Sequence, residues 1–231
     1  MRIGVLGAGN MADALATRWA RAGHRVRIGA RTPEKAVALA ERVGGGAAGG
    51  TLREAAGFGE VVLLAVWYEG VEAVLREAGA ADGVLDGRVL LDCTNPTSPP
   101  RFVLKTGDGP SVARRIAELA PGARVVKGFN LCHDSVWRRT PPVPGDRPLG
   151  VPLCGDDPDA VAAVERLVRD VGCEPLFGGG LDRAGLLEAT AAFALGVYFG
   201  GKRPGDPRSM FPPYEIATGH HGLIATESAG R

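Results

Sequence analysis

The residues Gly7-Ala8-Gly9-Asn10-Met11-Ala12 follow the apolar run RIGVL at 2–6 and open a segment whose apolar residues recur three and four apart. A strand that turns through glycines into a helix N-terminus is a device for holding a pyrophosphate. Gly7 permits the tight turn, Gly9 lets the backbone approach the phosphates, and Ala12 lets the helix pack close to the sheet. The free N–H groups and positive dipole at the start of the helix then face the anion. Strand, turn and helix in that order point to a dinucleotide. Which dinucleotide is decided about 20 residues on, where an Asp or Glu accepts hydrogen bonds from a ribose 2′-hydroxyl in NAD-preferring folds. Here no acidic residue lies between Asp13 and Glu34, and the second strand ends in Gly29-Ala30-Arg31-Thr32-Pro33-Glu34-Lys35. Arg31 can lie over an adenine and fork onto a 2′-phosphate, Thr32 can donate a hydroxyl, and Gly29 leaves space where a carboxylate would repel the charge. NADP(H) is the expected cofactor. In the alternative, Arg31 and Lys35 are solvated surface charges and Thr32-Pro33 serves only as the cap and first residue of the next helix.

Other residues could do chemistry in more than one way. His133, beside Asp134 in NLCHDSVWRR (130–139), is a proton donor for reduction of a ketone or imine, or a solvent-exposed loop histidine. Tyr68 is a second such donor. Lys127 in VVKG could reach a phosphate or a carboxylate, or snorkel at a sheet end. Trp67 and Tyr68 could stack on a ligand or simply pack. Trp137, Arg138 and Arg139 could meet an acidic ligand tail or form an exposed loop. Cys93, Cys132, Cys154 and Cys173 form no CxxC pair, and His220-His221 stands alone, so neither a disulfide framework nor a metal site is expected.

These residues need elements to hold them. Apolar runs at 2–6, 25–29, 60–66, 88–93 and 124–129 alternate with helical patterns, which predicts a Rossmann-type doubly wound α/β fold: a mostly parallel sheet with helices on both faces. The expected division is a nucleotide-binding part at 1–140, an extension of the same sheet with a helix at 149–200, and an irregular tail at 201–231. Asp157-Pro158 starts a helix in the extension. The last helix, about Asp182 to Tyr198, is apolar nearly all round and must be covered on every side, by a second subunit in a homodimer or by its own subunit. With 27 Lys+Arg against 26 Asp+Glu, neither nucleic acid nor a membrane surface is an expected partner; a small molecule is. The N-terminal MRIGVLG begins a strand at once and the longest apolar stretch, near 189–200, is short for a bilayer, so the expected location is cytoplasmic.

Several strings together resemble the coenzyme F420-dependent NADP oxidoreductase family, and the reductase domain of the STEAP-type metalloreductases: MRIGVLGAGNMADALATRWARAGHRVRIGARTPEKA, VVLLAVWYEGV, LLDCTNP, VVKGFN, VPLCGDDPDA and GCEPLFGGGLDRAGLLE, covering most of 1–190 in order. The resemblance implies hydride transfer between NADP(H) and a second ring system, the deazaflavin F420 or a flavin. It implies that Gly7, Gly9, Asn10 and Met11 hold the pyrophosphate and that Ala30, Arg31 and Thr32 hold the 2′-phosphate. Ala65, Val66 and Trp67 would pass the nicotinamide ribose, Asn95 and Pro96 would sit near the nicotinamide, and Asn130 would border the junction of the two rings. The segment 130–139 and the tail depart from the family pattern and leave the acceptor open. The alternatives are an NADPH-dependent reductase of a small carbonyl, imine or flavin, and an NADPH-binding sensor without turnover.

Overall fold

The computed structural model describes residues 1–143 and 148–199. In chain order the elements are β1 (Arg2–Leu6), α1 (Asn10–Arg21), β2 (Arg25–Gly29), α2 (Pro33–Val43), β3 (Ala48–Gly50), α3 (Leu52–Phe58), β4 (Val61–Leu64), α4 (Val71–Glu77), β5 (Val89–Asp92) and α5 (Val112–Leu119). They continue with β6 (Arg124–Lys127), α6 (Asp134–Trp137), β7 (Gly150–Gly155), α7 (Pro158–Asp170), β8 (Glu174–Phe177) and α8 (Ala184–Phe199). The strands form one sheet in the order β3-β2-β1-β4-β5-β6-β7-β8. All pairs are parallel except β6 with β7.

Side-chain alternation divides the interior in two. Ile3, Val5, Val61 and Leu63 join the apolar faces of α1, α2 and α7 on one side. Leu6, Val62 and Leu64 join those of α3, α4, α5 and the start of α8 on the other. Each fully buried Leu or Val stabilises the fold by about 1.5–3 kcal/mol, and β4 and residues 89–91 of β5, buried on both faces, supply unbroken apolar runs. Trp19 binds the extension to the first half, its Nε1 donating to the Leu167 carbonyl at 3.1 Å. As the sequence suggests, Asp157 caps α7, accepting from the Ala160 N–H at 2.7 Å with Pro158 in the first turn.

Three expectations change. The sequence pattern misses β3 because it reads AGG at the end of the run GGGAAGG (44–50), without a β-branched residue. A Cβ on Gly49 would lie 2.3 Å from the backbone N of Val37, so α2 rides directly on a strand that only glycine can form there. The run at 60–66 is a strand only over Val61–Leu64, and Ala65, Val66 and Trp67 continue beyond its end. The last helix begins at Ala184, after a 3-10 turn at Leu181–Arg183, and is not enclosed within one subunit among the described residues. Ala184, Glu188, Ala191 and Ala192 are buried, whereas Leu186, Phe193, Tyr198 and Phe199 are exposed. The expected tail at 201–231, with His220-His221, lies outside the described residues. Among those described, no helix is long and apolar enough to cross a membrane, and no cluster of His, Cys, Asp and Glu could hold a metal.

Candidate active site

The chain leaves β1 toward β2 on one side and returns to β4 on the other, so the sheet reverses between β1 and β4. In open α/β sheets this is where ligands bind, outside the carboxyl ends of the strands. Those ends form a registered row: Gly29 beside Leu6, Leu6 beside Leu64, Leu64 beside Asp92, and Asp92 beside Lys127. Nearly every residue expected from the sequence to hold the cofactor lies just past this row. Ala30, Arg31 and Thr32 follow Gly29; Gly7, Gly9, Asn10 and Met11 follow Leu6; Ala65, Val66 and Trp67 follow Leu64; Asn95 and Pro96 follow Asp92; Asn130 follows Lys127.

The turn after β1 is built for an anion. Gly7 takes φ +122, and a Cβ there would stand 2.3 Å from the Ala65 carbonyl oxygen. A Cβ on Gly9 would meet nothing within 4 Å, so the approach to the start of α1 is open. Gly9 is the N-cap and carries no capping side chain, leaving the first-turn N–H groups to an incoming acceptor. Beyond β2, Arg31, Thr32 and Lys35 are exposed, and Lys35 lies within the first turn of α2. Thr32 holds the N-cap position of α2 yet makes no side-chain cap, so its hydroxyl is not committed to the helix. An open glycine turn, uncapped helix donors, an uncommitted hydroxyl and a cation without a carboxylate partner among the described residues fit a 2′-phosphorylated dinucleotide.

The other end of the row is polar and buried. Phe129, wedged between Trp19 and Trp137, has φ +59, a strained conformation for an aromatic residue, and it turns the chain into Asn130. Asn130 Nδ2 donates to Asn95 Oδ1 at 3.0 Å and to the Leu187 carbonyl at 3.1 Å, while Asn95 Nδ2 donates to the Asn130 carbonyl at 2.7 Å. Two carbonyl-type acceptors fix the orientation of the Asn130 amide and leave its buried Oδ1 without a partner among the described residues. Pro96 is buried, its carbonyl accepting the Lys105 N–H at 2.7 Å, whereas the Trp67 side chain stands 79% exposed at the crevice.

Lys127 neither snorkels nor faces a ligand. It is fully buried, with its ammonium donating to Asp92 Oδ2 at 2.9 Å, to Glu188 Oε1 at 3.1 Å and to the Thr94 carbonyl. Asp92 Oδ1 accepts from the Thr94 N–H and hydroxyl, and Glu188 accepts the Val112 and Ala113 N–H groups at the start of α5. Burial alone would pull the Lys127 pKa down; the two carboxylates outweigh it and hold the pKa above its ordinary value. Sequence reasoning passed over this network. The available signal was one charge inside each of three apolar stretches, VLLDC, VVKGF and GLLEATAAFA, since a buried charge has to be paired.

In the segment 130–139 the exposed alternative for His133 is the one observed. His133 caps α6: its Nδ1 lies 3.3 Å from the Ser135 N–H and 3.0 Å from the Ser135 hydroxyl, and its side chain is 73% exposed. It therefore stands as a surface cap. Trp137 is buried against Phe129, and Arg138 reaches across to α1.

The family model described as NADP oxidoreductase, coenzyme F420-dependent, matches residues 2–96. The chain is 32% identical to the F420-dependent NADP reductase of Methanothermobacter marburgensis over 85% of its own length and 92% of that protein's. It is also 32% identical to the metalloreductase STEAP3 of Rattus norvegicus over 81% of its own length, and spans only 36% of that protein. Among solved structures, a candidate F420-dependent NADP reductase from Arthrobacter sp. FB24 superposes with a TM-score of 0.73 at 25% identity, covering 85% of this chain and 92% of that one.

Proposed function

The chain belongs to the coenzyme F420-dependent NADP oxidoreductase family, whose members are NADP-dependent oxidoreductases, and from that premise we propose that it carries hydride between NADP(H) and the deazaflavin F420. The observation that carries the reading is the registered row of strand ends, from which five separate segments reach one crevice. Gly7, Gly9, Asn10 and Met11 bind the pyrophosphate through backbone N–H groups. Ala30, Arg31, Thr32 and Lys35 surround the 2′-phosphate. Ala65, Val66, Trp67, Asn95 and Pro96 flank the nicotinamide end, and Asn130 borders the junction with the acceptor. NADPH, when bound, supplies the hydride from its nicotinamide ring. The chain's own task is to hold two planar rings face to face and keep water out, which needs no acid or base. A carbonyl or imine acceptor would need a proton donor, and His133, with Nδ1 engaged in a cap and Nε2 3.3 Å from Asp134 Oδ1, has a side chain turned to solvent. That favours the ring acceptor. A second copy of the chain, covering Leu186 and Phe193 of α8, completes this reading as a homodimer.

The test mixes the protein with NADPH and oxidised F420 under anaerobic conditions and follows the visible absorbance of the deazaflavin, with NADH in parallel. Bleaching with NADPH and little with NADH supports the reading; no bleaching while NADPH binds overturns it in favour of another acceptor. Arg31→Ala is expected to weaken NADPH far more than NADH, and equal losses would refute the 2′-phosphate assignment.

A further inference from the structure

Asp13 presents a problem to the dinucleotide site. It lies in the first turn of α1, whose N-terminus is meant to attract phosphates, and a carboxylate there opposes a bound anion. The fold answers with a residue 125 positions away in sequence. Arg138 Nη1 donates to Asp13 Oδ2 at 3.0 Å, its Nη2 to the Asn10 carbonyl at 3.1 Å, and its Nε to Asp134 Oδ2 at 3.1 Å. Asp13 Oδ1 also accepts from the Thr17 hydroxyl at 3.3 Å, so the carboxylate is held on the flank of the helix. Arg138 belongs to the segment whose first residue is Asn130, and α6 packs on α1 beside it. One guanidinium therefore grips the first turn of the phosphate-binding helix and the segment that begins at the acceptor end of the crevice.

We propose that Arg138 is a positioning residue of the dinucleotide site: it neutralises Asp13, so that the N-terminus of α1 stays positive toward a pyrophosphate. The proposal rests on the reading of the α1 turn as the pyrophosphate site. Arg138 acts through Asp13, so its removal does harm by exposing the carboxylate, and removing that charge as well repairs it.

The experiment titrates NADPH by fluorescence into the wild type, Arg138→Met, Asp13→Asn, the double variant, and Gly9→Val, recording a thermal melt of each. Gly9→Val tests the underlying reading separately: its side chain fills the open approach, so unchanged NADPH affinity in a folded Gly9→Val protein shows that the site lies elsewhere. With that control passed, Arg138→Met is expected to raise the NADPH Kd about five- to tenfold at low salt, a loss that shrinks as ionic strength screens exposed charges. Asp13→Asn should bind as well as the wild type or tighter, and Asp13→Asn/Arg138→Met should return to within about twofold of it. An unchanged Kd in Arg138→Met overturns the proposal. So does a double variant that binds as weakly as Arg138→Met, because a purely structural latch is not repaired by deleting its second half.

Discussion

Replacing Lys127 by Met removes the only cation among three fully buried charged side chains and leaves the Asp92 and Glu188 carboxylates in an apolar interior. Removing one partner of a buried pair destabilises by about 3–5 kcal/mol, and here two carboxylates lose the same partner, so the upper end of that range is expected. A domain of this size has a total stability of about 5–15 kcal/mol, so the substitution consumes a large fraction of it. At about 2–4 °C per kcal/mol, the melting temperature should fall by about 6–20 °C. The neutral triple variant Asp92→Asn/Lys127→Met/Glu188→Gln should recover most of the loss, because no buried charge is left uncompensated. The sign of the pH dependence follows from the direction of the Lys127 shift. Its pKa is raised on folding, so its contribution is fully present below the unfolded-state value, about 10.4, and is lost only as the pH rises through the higher folded value. Titration of Lys127 should therefore add no pH dependence to the stability of the wild type from neutral pH to about pH 9. Urea denaturation followed by circular dichroism at several pH values measures it. A Lys127→Met protein within about 1 kcal/mol of the wild type would refute the assignment of a charged, load-sharing ammonium at this position.

Gly7→Ala places a methyl group 2.3 Å from the Ala65 carbonyl oxygen at φ +122, so it should lower the melting temperature and abolish NADPH binding; a folded variant with wild-type affinity would contradict the turn geometry. Of the three tryptophans, Trp19 and Trp137 are buried and Trp67 is 79% exposed, so acrylamide quenching of the native emission should disappear in Trp67→Phe. Saturating NADPH should shield Trp67 in the wild type, and unchanged quenching would place the nicotinamide end elsewhere. Burial pushes the Cys93 thiol up to about 12 and that of Cys132 up to about 11, leaving about one part in a thousand or less as thiolate at pH 8. A thiol-specific reagent should label the native protein far more slowly than the urea-unfolded chain, and equal rates would show that folding does not suppress these thiolates.

The sequence by itself determined whatever depends on neighbours along the chain. A strand, a glycine turn and a helix N-terminus form one continuous segment, so the turn at Gly7 and Gly9 is legible without a structure, as is the absence of an acid before Arg31. Alternating apolar runs likewise gave the doubly wound sheet, because burial on both faces writes itself into consecutive residues. What sequence could not supply was pairing at long range. Lys127, read in one strand, looks like a snorkelling lysine; only the register of β5 with β6 and the docking of α8 bring Asp92 and Glu188 to it. β3 was invisible because Gly49 answers to the backbone of α2 rather than to any strand propensity. His133 and Arg138, both in segment 130–139, had two readings each in the sequence: folded, the histidine caps a short helix at the surface, and the arginine crosses to the first turn of α1. Local chemistry is encoded in spacing, whereas the partner of a charge is chosen by packing, and packing is settled only when the whole sheet is assembled.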